Sequence, residues 1–229
     1  FREAFALGRD NGHPYAPILF VGHSMSVSRE RGTLADVIHR LPDPVQDDVS
    51  QVQISPYVVA INAAIWAEAE RHDTASLLVQ YFGPGIERLE GRIDWLAAGV
   101  ELAAALRHLR DTQRAQVLME MLAPYEALHG VCTITVLYGG PVARALGLLA
   151  ELCGDLESAE HWLEMAVEAA GRLGARSMAV RAQCELGRII AARGRTAPAR
   201  ELLDAAEASA HALGLEGVAR QASASRGAL

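Results

Sequence analysis

Aromatic residues make up only 5% of this 229-residue chain and cysteines number three, at 132, 153 and 184, without CxxC or paired framework spacing. A disulfide scaffold is therefore excluded, and with no signal peptide in view the reading is a reducing, cytoplasmic setting. No uncharged apolar run approaches the roughly 20 residues needed to span a bilayer; Val131–Tyr138 is short and carries two threonines. The net charge of −7 and the absence of a basic block argue against a nucleic-acid platform, whose affinity depends on clustered cations. No stretch matches GxxxxGK followed by Ser or Thr, and Gly139-Gly140-Pro141 lacks the lysine that would reach a phosphate. Histidines never form HxxxH or HExxH, no cysteine stands at metal-ligand spacing from one, and no GxSxG element appears. The chain reads as a non-enzyme without cofactor or metal.

What is abundant is alanine, leucine and arginine, with 51% hydrophobic residues, a composition suited to closely packed helices. Ala35, Ala75, Ala115, Ala159 and Ala199 recur at spacings of 40, 40, 44 and 40, each early in a helical segment. A fixed period of this length marks stacked units, none of which buries its apolar face alone. The prediction is an all-α fold, an elongated α-α superhelix of about five helical hairpins, in one domain over 1–229. The units are placed at 14–42, 55–83, 93–129, 141–173 and 178–213. The chain opens inside a predicted helix over 1–9, which reads as part of a longer protein.

The clearest unit runs from Pro141 to Leu173 with a break at Gly154-Asp155. The next, Met178 to Leu213, breaks at Arg193-Gly194-Arg195 and stops at Gly214. Leu146-Gly147, Gly154, Ala159 and Ala166, and again Leu186-Gly187, Gly194, Ala199 and Ala206, fall at the spacing of the leucine-glycine, turn glycine and two alanines of the tetratricopeptide repeat (TPR), which the chain resembles. The third unit keeps Leu102, Ala103, Ala115 and Leu122, and the second keeps Ala63, Trp66 and Ala75; the first retains mainly Ala35, with Gly22 one place off register. The period of 40 to 44 exceeds the family's usual 34. Leu122–Tyr125 and Tyr138–Ala150 are similar to the C-terminal helical region of actinobacterial signalling ATPases, including LuxR-type (maltose-regulator-like) transcription regulators and adenylate cyclase fusions. That resemblance implies a sensor or protein-interaction module, its partner being the protein's own ATPase core or another chain.

In TPR arrays the first helix of each hairpin lines the concave groove. Mapping the spacing gives as groove candidates Tyr57, Ala60, Ala64 and Glu68; Val100, Ala104, Arg107 and His108; Arg144, Leu148 and Glu151; and Arg181, Cys184 and Arg188. Arg107, Arg144 and Arg188 could hold a small anionic ligand or an acidic peptide by paired hydrogen bonds, or could be solvated or paired with Glu151 and its neighbours. The lysine and asparagine pattern of chaperone-binding TPR members is absent. Glu157, Glu160, Glu164 and Glu168 with Arg172 read as a solvated face. Trp66, Trp95 and Trp162 read as packing residues.

Val131–Tyr138 alternates and is β-branched, so it reads as an extended segment ending at a proline that opens a helix. It covers the groove between two hairpins, walls a ligand pocket, or offers an edge to an extended peptide. The second case is the alternative function, a small-molecule effector receptor.

Overall fold

A computed structural model describes residues 2–13, 16–38, 55–89, 91–133 and 137–229, and these are mostly helical. Three helices come first, α1 (Arg2–Asp10), α2 (Ala16–Arg31) and α3 (Leu34–Ile38). Four pairs follow: α4 (Pro56–Glu68) with α5 (His72–Gln80), α6 (Trp95–Leu109) with α7 (Thr112–Leu122), α8 (Val142–Cys153) with α9 (Leu156–Arg172), and α10 (Arg176–Ala192) with α11 (Thr196–Leu213). A twelfth helix, α12 (Glu216–Gly227), lies beyond the last expected unit. From α4 onward each helix packs mainly on those nearest to it in chain order.

The two members of a pair are built differently. Ten consecutive residues of α6, Ala97–Leu106, and nine of α8, Val142–Ala150, are buried, as expected for helices enclosed on several sides. Second helices bury chiefly one stripe at helical spacing: Ala159, Leu163, Ala166 and Ala170 in α9, and Ala199, Leu203, Ala206 and Ala210 in α11. Asp155 starts α9 by accepting a hydrogen bond from the Ser158 amide at 3.0 Å, and Asp111 starts α7 through the Arg114 amide at 3.1 Å.

Small residues set the approach between partners. A Cβ on Gly147 would sit 2.7 Å from Leu163 Cγ, and one on Gly187 would sit 2.7 Å from Leu203 Cγ. The same glycine–leucine contact thus recurs forty residues apart, and any larger residue would overpack it. Ala75, Ala115, Ala159 and Ala199 are fully buried. Ala35 is a correction: it is exposed, while Leu34 and Ile38 are the buried residues of α3, because that five-residue helix presents a different face. Residues 14–15 and 39–42 of the first expected unit lie outside the described residues.

Among the described residues the extended segment forms two antiparallel strands, β1 (His129–Cys132) and β2 (Leu137–Pro141), packed on α6, while residues 134–136 of it lie outside the described residues. Gly130 permits this, since a Cβ there would lie 3.0 Å from Val100 Cγ2 and 3.1 Å from Ala97 Cα. Asp94 ties the hairpin down, accepting from the Thr133 amide at 3.1 Å and its hydroxyl at 2.9 Å. Pro141 caps α8 in an extended conformation, so the helix starts one residue later than expected.

One packing relation runs against serial order. The end of α2 meets α12: Arg220 Nη2 donates to the Gly32 carbonyl at 2.6 Å, and a Cβ on Gly217 would lie 2.9 Å from the Arg29 carbonyl oxygen. Arg181 of α10 reaches the same region, donating to Glu30 at 2.8 Å. The beginning and the end of the array are in contact, unlike the ends of an open rod.

Candidate functional site

Every basic residue apart from histidine is arginine, for the chain has no lysine. Five of these arginines, supplied by α2, α6, α8 and α10, line one central cavity of about 280 Å³. Of the residues mapped to a groove, Glu68, Ala104, Arg107, His108, Arg144, Leu148, Arg181, Cys184 and Arg188 are brought together there. Arg29, Glu185, Gln221, Ala224 and Ser225 also line it and were not anticipated. Glu185 follows a candidate directly in sequence, and its place one turn below Arg181 was a usable signal. Arg29 and the α12 residues carried none, because the α2–α12 contact breaks the period.

Four candidates sit elsewhere. Tyr57, 1% exposed, borders a second cavity of about 310 Å³, which Arg29, Glu30, Glu101, Leu137 and Tyr138 also line. Ala60 and Ala64 are fully buried in the core, and Val100 packs beneath the β-hairpin. Glu151 does not line the central cavity but organises it, since its Oε2 accepts from Arg107 Nε at 2.8 Å and Arg188 Nη2 at 2.9 Å.

The pairing is uneven. Arg144 gives two parallel bonds to Glu185, at 2.8 and 2.5 Å, and both residues are buried. That geometry saturates the fork of Arg144, so of the three arginines singled out for an anion it is the least available. Arg29 is shared between Glu68 at 2.6 Å and Glu101 at 3.0 Å. Glu30 Oε1 takes the Arg181 bond, while its buried Oε2 has no hydrogen-bond partner among the described residues. Glu160, read as a solvated residue, is instead buried and paired with Arg193 at 2.6 Å and with Arg195, because the turn after α10 folds over it. Glu168 and Arg172 do form an exposed pair.

These contacts fix protonation. Burial alone would raise the Glu185 carboxyl, but Arg144, Arg181 and Arg107 hold it below the ordinary range. Glu68 follows the same logic, with burial outweighed by Arg29 and Arg181. Burial opposes the charge of Arg29, yet Glu68 and Glu101 more than offset that cost and its pKa lies above the ordinary value. Burial and then Arg107 lower the His108 imidazole below 6.5, so it is neutral at pH 7. Burial and Glu185 push the Cys184 thiol up to about 11, leaving it protonated and a weak nucleophile.

Among the described residues no group of three His, Cys, Asp or Glu is placed to hold a metal ion, and no helix is long and apolar enough to cross a membrane. Trp66 is buried with Arg71 over its ring; Trp95 meets Tyr125 edge-on; Trp162 Nε1 donates to Glu126 at 3.0 Å. Comparison with protein-family models, with curated proteins and with solved structures finds no match.

Proposed function

We propose that this chain is the sensor and protein-interaction region of a bacterial signal-transduction or transcription regulator, and that the charged inner wall is its recognition surface. In this reading the hairpins are TPR-like units of a right-handed superhelix, and the module is cytoplasmic and non-catalytic. The observation that carries it is the convergence of five arginines from four helices on one cavity, with Leu148 and Ala104 between them. Occupancy of that cavity biases the regulator only by the difference in ligand affinity between its two states.

The α2–α12 contact favours the second form of the reading, a receptor for a small effector, over the binding of an extended acidic peptide. A contact between α2 and α12 across the stack narrows the room for a long segment among the described residues. The β-hairpin plays a limited part, because Leu137 and Tyr138 wall the neighbouring cavity and not the central one.

Thermal-shift screening of metabolites and acidic peptides tests the proposal, since ligands that bind only the folded state raise the melting temperature by mass action. Ala224 is an exposed α12 residue on the cavity lining, so Ala224→Trp fills the space without disturbing the core. Stabilising compounds that lose their effect in Ala224→Trp support the reading. Shifts unchanged in that variant, or no shift at all, overturn it.

A further inference from the structure

We propose that the central cavity binds a small amino carboxylate, with its carboxylate on Arg107 and Arg188 and its ammonium group towards Glu68. The proposal rests on the cavity being the recognition surface and adds the chemistry of what it recognises.

The argument begins with a local imbalance of charge. Arg107 and Arg188 share a single carboxylate oxygen, Glu151 Oε2, which leaves an excess of one positive charge at the α6–α8–α10 wall. Around Arg29 of α2 the ratio is reversed, because it alone serves Glu68 of α4, which lines this cavity, and Glu101 of α6, which lines the neighbouring one. Between them Arg144 is matched by Glu185 and Arg181 by Glu30, and neither pair contributes net charge. His108 is neutral and also lines the cavity. The cavity therefore carries its surplus cation at Arg107 and Arg188, and Glu68, which shares the single Arg29 with Glu101, is the lining carboxylate left to face a ligand cation.

Donor capacity points to the same place. A guanidinium carries five N–H donors, and Arg107 and Arg188 each show one hydrogen bond among the described residues. Their side chains are 26% and 29% exposed, against 8% for Arg144, so their remaining donors are reachable. Glu151 demonstrates that a carboxylate fits across the two guanidiniums. It is a built-in competitor that a ligand carboxylate would join or displace. Leu148, Ala104 and Ala224 give apolar contact for a short carbon skeleton. A second anionic group on the ligand would face Glu68, which sets a preference for a zwitterion over a dianion.

The test is titration calorimetry on the whole chain at constant ionic strength, using the protein amino acids and straight-chain ω-amino acids of four to six carbons. Pentanoate, glutarate, pentylamine and inorganic phosphate serve as comparisons. Amino carboxylates should bind more tightly than pentanoate, and the dianion, the amine and phosphate should bind least. Arg188→Gln should weaken binding by at least about tenfold, as expected for loss of a charge-assisted pair. Glu151→Gln should tighten it several-fold, a gain that a purely structural role would not produce. Glu68→Gln should erase the preference for 5-aminopentanoate over pentanoate. Circular dichroism checks that each variant is folded. No amino carboxylate binding, or binding unchanged in Arg188→Gln, overturns the inference. If neutral compounds instead bind in a way that Ala224→Trp abolishes, this inference falls and the sensor reading stands.

Discussion

The α8–α11 region and the α2–α12 contact hold the molecule together by opposite means. Across α8–α11 the same parts recur at a separation of forty: a glycine against a leucine, and four small or aliphatic residues in a stripe. Each glycine–leucine contact there joins two helices that are consecutive in the chain. At the α2–α12 contact nothing repeats, and the joining groups, Gly32, Gly217, Arg220 and Glu30 with Arg181, are brought together from far apart in sequence. Local repetition builds the stack, and a few single contacts close it. The first kind of bond should govern global stability and the second the state of the cavity.

The largest effect is expected from the buried pair that links α8 to α10. Arg144→Met strands the Glu185 carboxylate in the interior and should cost about 3–5 kcal/mol in denaturant unfolding, whereas Arg144→Met with Glu185→Leu should recover most of it. Acid should act through the same group. Because the folded-state pKa of Glu185 lies below its ordinary 4.5, its contribution is complete above that value and is lost as pH falls further through the folded pKa. The urea midpoint should accordingly drop below about pH 4.5 in the parent and much less in the double variant.

Next comes packing within the repeat. Gly187→Ala places a methyl 2.7 Å from Leu203 Cγ and should destabilise by about 1–2 kcal/mol, the clash exceeding the gain in helix propensity. Gly171→Ala, in α9 with nothing within 4 Å, should stabilise by up to about 1 kcal/mol. Equal effects from the two would remove the role given to close approach.

Gly217→Ala probes the other region. Its methyl would press on the α2 backbone, and hydrogen exchange should rise in α2 and α12 while the unfolding midpoint moves by less than about 1 kcal/mol equivalent. A large loss of global stability would show that closure and stacking are not separable. Smallest of all, Glu168→Ala removes an exposed pair with Arg172 and should change stability by no more than about 0.5 kcal/mol.

The same division explains what could be read in advance. Helices and their breaks at Gly154 and Gly194 were legible because alanine, leucine and glycine state them locally. The inward positions of α6, α8 and α10 followed from helical spacing, which is why Arg107, Arg144 and Arg188 could be placed together from sequence. The pairing of Arg144 with Glu185, and of Arg29 with Glu68 and Glu101, was not legible, because these groups meet between helices that no local pattern pairs. Ala35 misled for a related reason: one alanine fits any periodic frame, and α3 buries Leu34 and Ile38 in its place. The hairpin of β1 and β2 was visible as extended chain, but its pairing depends on Gly130 lying against α6.

The contact between Arg220 and Gly32 spans 188 positions of chain. During synthesis the middle hairpins can form as they emerge from the ribosome, whereas the chamber they surround acquires its last wall only once α12 has been made. Until then Gln221, Ala224 and Ser225 are missing from the lining, so a nascent or prematurely terminated chain would lack one side of the cavity.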